Sequence, residues 1–229
     1  MAVWVVTGAN RGLGARFVEV LGARGDTVFA GARDPTQVPD ASGPGAVHPL
    51  PLDVRNDASV DAFAKAIAAS TGHVDVLLNN AGVADGRWSD LSDVDPATML
   101  DVFDVNTVGP LRTSRALWGL LLKAPPGGRI AHISSLMGSI EDCASGRSYA
   151  YRPSKTALNM VSKILAVEGT AHGITSTAYH PGWVKTDMGG EHAPLSIEES
   201  VGDLLGLIDR QDASVSGGFL EHTGRTLPW

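Results

Sequence analysis

Short runs of β-branched and other apolar residues recur along the chain at 3–6, 27–30, 47–52, 74–78, 129–133 and 174–179. Each is followed by a longer stretch with helical spacing of apolar side chains, or by a loop leading to one. Strands that alternate with helices imply parallel pairing, because parallel neighbours need a crossover connection. The runs are nearly all apolar instead of alternating, so both faces of the sheet should be covered by helices. The expected fold is therefore α/β, a three-layer doubly wound arrangement.

A chain of 229 residues suits one large domain, and the expectation is a single domain over 1–229. No internal repeat or low-complexity tract interrupts it, and the Gly- and Pro-rich breaks at 34–45, 124–128 and 187–195 are too short for domain linkers. With 43% hydrophobic and 19% charged residues the chain can bury a large core. Its net charge of -7 repels phosphate backbones, which argues against nucleic acid as a partner.

The single cysteine, Cys143, allows neither an internal disulfide nor a cysteine-rich zinc site, and this suits a reducing compartment, with the cytoplasm expected. Residues 1–2 lead straight into the first apolar run, so no basic leader is expected, and no apolar stretch approaches the roughly 20 residues that span a bilayer. The seven histidines include no His-Glu-x-x-His pattern and no close cluster, so no metal is expected.

Some helix boundaries can be read directly. Asp95-Pro96 offers a capping carboxylate and a proline suited to the first helical position, and one long helix is expected from there to 122. Ser196 with Glu199 has the form of a capping box, opening a helix toward 208.

The first strand ends in Thr7-Gly8-Ala9-Asn10-Arg11-Gly12-Leu13-Gly14, ahead of a helical stretch. Glycines let the backbone turn sharply and approach a pyrophosphate, and the helix N-terminus offers unpaired N–H groups. The spacing is Gly-x-x-x-Gly-x-Gly, which matches the dinucleotide fingerprint in context but not letter for letter. After the second strand, Gly31-Ala32-Arg33 stands where such folds choose between a ribose hydroxyl and a 2′-phosphate. No acid is present at that strand end. Arg33, with Arg11 from the glycine loop, could meet a 2′-phosphate, which points to NADP(H).

Tyr151-Arg152-Pro153-Ser154-Lys155 sets a phenol and an ammonium four residues apart, on one helix face. A neighbouring cation stabilises a phenolate and tunes the phenol for proton transfer near neutral pH. Tyr149 is a poorer candidate, because Pro153 stands four residues beyond it. Upstream, the strand at 129–133 ends in Ser134-Ser135, which places hydroxyls at the carboxyl edge of a parallel sheet.

Together these motifs resemble the short-chain dehydrogenase/reductase family from the first strand to the last residues. The resemblance implies a Rossmann fold with a mostly seven-stranded parallel sheet. It implies a catalytic tetrad of Asn106, Ser135, Tyr151 and Lys155, with Asn106 holding a water that links Lys155 to solvent. Cofactor contacts would come from Gly8, Asn10, Arg11, Gly12, Leu13 and Gly14, from Arg33, and from Asp53 and Val54 at the adenine. Further contacts would come from Asn80, Ala81 and Gly82 of the Asn79-Asn80-Ala81-Gly82 motif, from Tyr151 and Lys155, and from Pro181, Gly182, Val184 and Thr186 at the nicotinamide end. The choice of Ser135 over Ser134 rests on its being the second serine, since its distance to Tyr151 is slightly longer than the family's commonest spacing.

Met137-Gly138-Ser139-Ile140, Tyr149-Ala150-Tyr151-Arg152, His180-Pro181-Gly182-Trp183 and Leu227-Pro228-Trp229 are similar to the carbonyl-reductase subgroup that includes the C-factor proteins. That subgroup implies hydride transfer between NADP(H) and an aldehyde or ketone. It also admits a rival in which the cofactor is bound but signalling is the output. A serine hydrolase is disfavoured, because no Gly-x-Ser-x-Gly elbow occurs. Trp88, Met137, Trp183 and Met188 could line an apolar pocket or simply pack. His132 and His180 are expected to be structural. The partner expected is a small carbonyl or alcohol substrate, in a homodimer or homotetramer.

Overall fold

The computed structural model describes residues 1–40, 42–85 and 88–229. Seven strands, β1 (Val3–Thr7), β2 (Thr27–Ala32), β3 (Ala46–Pro51), β4 (Val76–Asn79), β5 (Arg129–Ile133), β6 (Thr175–His180) and β7 (Phe219–Glu221), form one sheet in the order β3-β2-β1-β4-β5-β6-β7. All six pairings are parallel. This is the expected three-layer Rossmann fold. The last strand, only three residues long, had no apolar run to announce it.

The apolar runs supply both faces by simple alternation. Trp4 and Val6, Val28 and Ala30, Val76 and Leu78, and Ala131 and Ile133 point to one side. There they meet Phe17, Val18 and Leu21 of α1 (Gly12–Ala23) and Val201, Leu204 and Ile208 of α6 (Ile197–Asp209). The residues between them, Val5, Phe29, Leu77 and Ile130, pack on the other side. Their partners are Val60, Phe63 and Ile67 of α2 (Asp57–Ser70), Leu117 and Leu121 of α4 (Gly109–Leu121) and Leu165 of α5 (Tyr151–Gly169). Strand β3 is mostly exposed and carries Pro49 and Pro51, as an edge strand tolerates.

The capping box forms as read, with Ser196 accepting from the Glu199 N–H and the Glu199 carboxylate accepting from the Ser196 N–H. The long helix expected over 96–122 does not run unbroken. It divides into α3 (Pro96–Phe103), a π turn (Asp104–Val108) and α4. The cause is Pro110, which has no N–H for the carbonyl of Asn106 four residues earlier. No helix among the described residues is long and apolar enough to cross a membrane.

The strand order reverses between β1 and β4, so the connections from their carboxyl ends diverge and leave a crevice, the usual ligand site of such sheets. Burial predicts that Leu78→Ala, in fully buried β4, loses about 2–5 kcal/mol, whereas Leu100→Ala on exposed α3 stays within about 0.5 kcal/mol. Denaturant unfolding of both variants checks this.

Candidate active site

The glycine loop closes on itself at the switch point. Gly8 and Gly12 have φ of +67° and +54°, and a Cβ on Gly14 would lie 2.1 Å from the Gly8 carbonyl oxygen. The end of β4 fastens the loop. Asn80 Nδ2 donates to the carbonyls of Thr7 and Gly8 at 3.0 and 3.1 Å, while Thr7 Oγ1 accepts from the N–H groups of Asn80 and Ala81. Helix α1 then opens without a side-chain cap. The loop therefore fits a pyrophosphate, since it brings the backbone close and leaves the first-turn donors to a ligand.

On the ribose side, Arg33 is exposed at the end of β2. The neighbouring carboxylate, Asp34, accepts from the Thr36 N–H and hydroxyl and from Gln37 Nε2, and these bonds hold its pKa below the usual value. Gln37 Oε1 in turn accepts from Asn10 Nδ2 at 3.2 Å, joining the glycine loop to the turn after β2. The Arg11 guanidinium pairs with Asp187 at 3.0 Å, both side chains being exposed. An exposed carboxylate from the segment after β6 thus engages one of the two cations expected at a 2′-phosphate. Asp53 is gripped by Arg55, whose hydrogen bonds keep the carboxylate pKa low, with a smaller contribution from Arg33. Val54 is buried, and its carbonyl accepts from Arg112.

Across the crevice, the segment after β6 turns at Gly182 (φ +84°). The Pro181 carbonyl accepts from Ser200, and buried Val184 bridges to Leu195. Thr186 reaches the glycine loop, its Cγ2 lying 3.7 Å from where a Gly12 Cβ would be.

The Tyr151–Lys155 pair opens α5, and both side chains are buried. Lys155 Nζ donates to the Ile133 carbonyl at 2.9 Å and lies 5.8 Å from the centre of the Tyr151 ring. Burial pushes its pKa down to about 8. A Cβ on Gly82 would lie 3.5 Å from this nitrogen and 3.3 Å from Asn106 Oδ1, so glycine keeps the space beside them open.

The two serines part ways. Ser134 is buried and donates to Asn159 Oδ1 at 2.6 Å, whereas half-buried Ser135 accepts the Met137 N–H at 3.2 Å and keeps its own hydroxyl proton. The turn beyond Ser135 packs directly on α5: the Gly138 carbonyl accepts from Thr156 and Asn159, and a Cβ on Gly138 would sit 2.9 Å from the Lys155 backbone.

Asn106 lies fully buried in the π turn. Its amide accepts from the Val83 N–H and donates to the Val83 carbonyl and Ser154 Oγ, and Ser154 donates to the Tyr151 carbonyl. Its side chain thus ties three segments together, while Pro110 denies its main-chain carbonyl the usual partner four residues on. Sequence reading missed this turn, although proline inside a helical pattern was the available signal. It also missed Val83, Ser154, Asn159 and Gln37, whose roles exist only once distant segments meet.

Of the histidines read as structural, His132 is fully buried and His180 half-buried. His132 faces Asn79 and Ser176, and burial, then the charge of Lys155, lowers its pKa to about 3. Burial lowers His180 to about 4. No group of three or more metal-ligating side chains occurs among the described residues. Of the possible pocket residues, Trp88, Trp183 and Met188 are exposed, Met137 is half-buried, and Trp183 Nε1 donates to the Gly189 carbonyl.

The model of the short chain dehydrogenase family matches residues 2–194, and the chain belongs to that family of oxidoreductases. Its similarities fall in the carbonyl-reductase and C-factor-like subgroup. It is 46% identical over 160 residues to the C-signal protein of Myxococcus xanthus, covering 69% of this chain and 95% of that one. Among solved structures it is similar to the carbonyl reductase Sniffer of D. melanogaster, with TM-score 0.91 and 32% identity over all of both chains. It is also similar to an NADPH-bound carbonyl reductase from chicken fatty liver, with TM-score 0.89, 33% identity, and coverage of 100% of this chain and 99% of that one.

The lowered pKa of Lys155 has a consequence for stability. The folded chain binds this proton more weakly than the unfolded chain, so the cost is complete below about pH 8 and fades as pH rises from there to 10.5. Lys155→Met should therefore raise cofactor-free stability at pH 7 by about 1–3 kcal/mol, with a smaller gain at pH 9.5. Unfolding curves at the two pH values read both the sign and the trend.

Proposed function

We propose that this chain is an NADPH-dependent carbonyl reductase acting on aldehydes or ketones. The observation that carries the reading is the buried Lys155 ammonium beside the Tyr151 ring, at the carboxyl edge of the sheet and next to a glycine loop with open donors. The resemblance to an NADPH-bound carbonyl reductase supports it. In this reading the N–H groups of Gly12, Leu13 and Gly14 hold the pyrophosphate, assisted by Gly8 and Asn10. Arg33 holds the 2′-phosphate, and Arg11 joins it only by leaving Asp187. Asp53 and Val54 face the adenine. Asn80, Ala81 and Gly82 border the ribose, and Pro181, Gly182, Val184 and Thr186 border the nicotinamide. When bound, NADPH supplies the hydride.

The residues of the chain handle the oxygen and the proton. Ser135, whose hydroxyl already accepts from Met137, donates its proton in a hydrogen bond to the substrate carbonyl oxygen. Tyr151 gives up its phenolic proton as negative charge develops there, and Lys155 stabilises the phenolate left behind. The Asn106 main-chain carbonyl, denied its usual partner by Pro110, holds the water that returns a proton from solvent. We take 1–229 as one catalytic domain that works in the cytoplasm. Exposed apolar side chains on α4, at its C-cap and on α5, including Leu111, Leu122, Met160, Ile164 and Val167, favour assembly as a homodimer or homotetramer.

The similarity to C-signal favours a second reading, a cofactor-binding protein whose output is signalling. A panel of aldehydes, ketones and diketones with NADPH separates the two: tight NADPH binding with no turnover on any member supports the second and removes the first.

Tyr151→Phe is expected to keep NADPH affinity within about twofold and to lose about 10²–10⁴ in turnover. An unchanged rate in stopped-flow reduction assays overturns the mechanism. Arg33→Ala should weaken NADPH far more than NADH, and Arg11→Ala should do so less, because Asp187 already engages Arg11. Calorimetric titration with both cofactors reads the difference.

A further inference from the structure

An open groove of about 590 Å³ lies between the connection from β4 to α3 and the connection from β5 to α5. Trp88, Asp90 and Leu91 form one wall, and Ser145, Gly146, Arg147 and Tyr149 the other. Both connections leave the carboxyl edge of the sheet, and the second runs directly into Tyr151. The groove therefore adjoins the reacting end of α5, yet none of its lining residues has a part in the mechanism above.

Its chemistry is amphipathic and locally cationic. Trp88, Leu91 and Tyr149 offer apolar and aromatic surface. Arg147 bonds Asp90 through Nε at 2.7 Å, and its terminal nitrogens make no hydrogen bond among the described residues. Behind the wall stands a second guanidinium. Arg152 Nη2 donates to Ser145 Oγ at 3.1 Å, while its Nε and Nη1 are buried without a partner and it makes no ion pair among the described residues. Among the described residues, Arg147 and Asp90 line the groove and Arg152 stands behind Ser145, in a chain whose net charge is -7. A buried guanidinium with orphaned donors projects its field through a low-dielectric wall, which favours an anion. Arg147 and Ser148 are, moreover, successive non-glycine residues with φ of +74° and +60°. The chain holds a disfavoured backbone there and presents the Arg147 side chain to the groove.

We propose that this groove is a recognition subsite for carbonyl substrates that carry a carboxylate at the far end of an apolar or aromatic spacer. Arg147 exchanges Asp90 for the substrate carboxylate, Arg152 supplies positive potential from beneath, and Trp88, Leu91 and Tyr149 cover the spacer. The inference rests on the reductase reading for the reacting end alone. The anion site itself is defined by the two arginines.

The test compares 4-acetylbenzoate and 4-(4-acetylphenoxy)butanoate with their methyl esters. For at least one acid, KM with NADPH should be about tenfold or more below that of its ester, as a charge-assisted bidentate bond gives. Arg147→Gln should bring the acid-to-ester ratio close to one, and Asp90→Asn, which frees Arg147, should widen it. Calorimetric titration of the NADP⁺-bound protein with the same ketones reads affinity without turnover. Acid binding that depends on Arg147 while no ketone is reduced leaves the subsite standing and removes the reductase reading. Equal KM and Kd for acid and ester, or an acid preference that survives Arg147→Gln, overturns the subsite even if reduction is fast.

Discussion

Holding the Lys155 ammonium out of water is the constraint around which the crevice is organised. Burial lowers its pKa to about 8, which corresponds to roughly 3 kcal/mol of disfavoured charge at neutral pH. Among the described residues a single carbonyl, that of Ile133 at the end of β5, receives its hydrogen bond. That one contact links the helix carrying Tyr151 to the strand that leads to Ser135. The same charge helps keep His132 neutral inside the sheet. A buried cation beside a phenol is costly for the fold, and in the proposed mechanism it is what stabilises the phenolate, a common trade between stability and function.

Around this charge, polar side chains set distances that apolar packing could not. Asn80 fastens the glycine loop to β4, Asn106 fastens Val83 to Ser154, and Ser134 with Asn159 fastens the serine turn to α5. Each satisfies backbone or side-chain groups that would otherwise be orphaned in a buried place. These ties hold the glycine loop, the π turn, the serine turn and the opening of α5 in one arrangement. The segment after β6 is bound less firmly: its reach to the glycine loop includes the exposed Arg11–Asp187 pair, and such pairs contribute little in water.

Much of this was legible in the residues themselves. The apolar runs gave the parallel sheet and its two covered faces, because strand side chains alternate and nearly every position was apolar. The glycines at 8, 12 and 14 and the Tyr151–Lys155 spacing located the crevice, because local geometry dictates both. The break at Asn106 was equally local, written in Pro110, and was overlooked because the apolar pattern on either side continued in helical phase. The short β7 could not be read, since its place depends on pairing with β6 and not on a run of its own.

What the sequence alone determined, then, is the class of fold and the identity of the groups brought to its carboxyl edge: backbone periodicity and glycine conformational freedom act over a few residues and need no tertiary context. Only the tertiary structure decided which serine is held by Asn159, which carboxylate Arg11 engages, and where Arg147 meets a groove. Those outcomes turn on contacts between segments far apart in the chain, such as Arg11 with Asp187 and Arg147 with Asp90, and Coulomb attraction and burial are fixed by distance in space rather than by order in sequence.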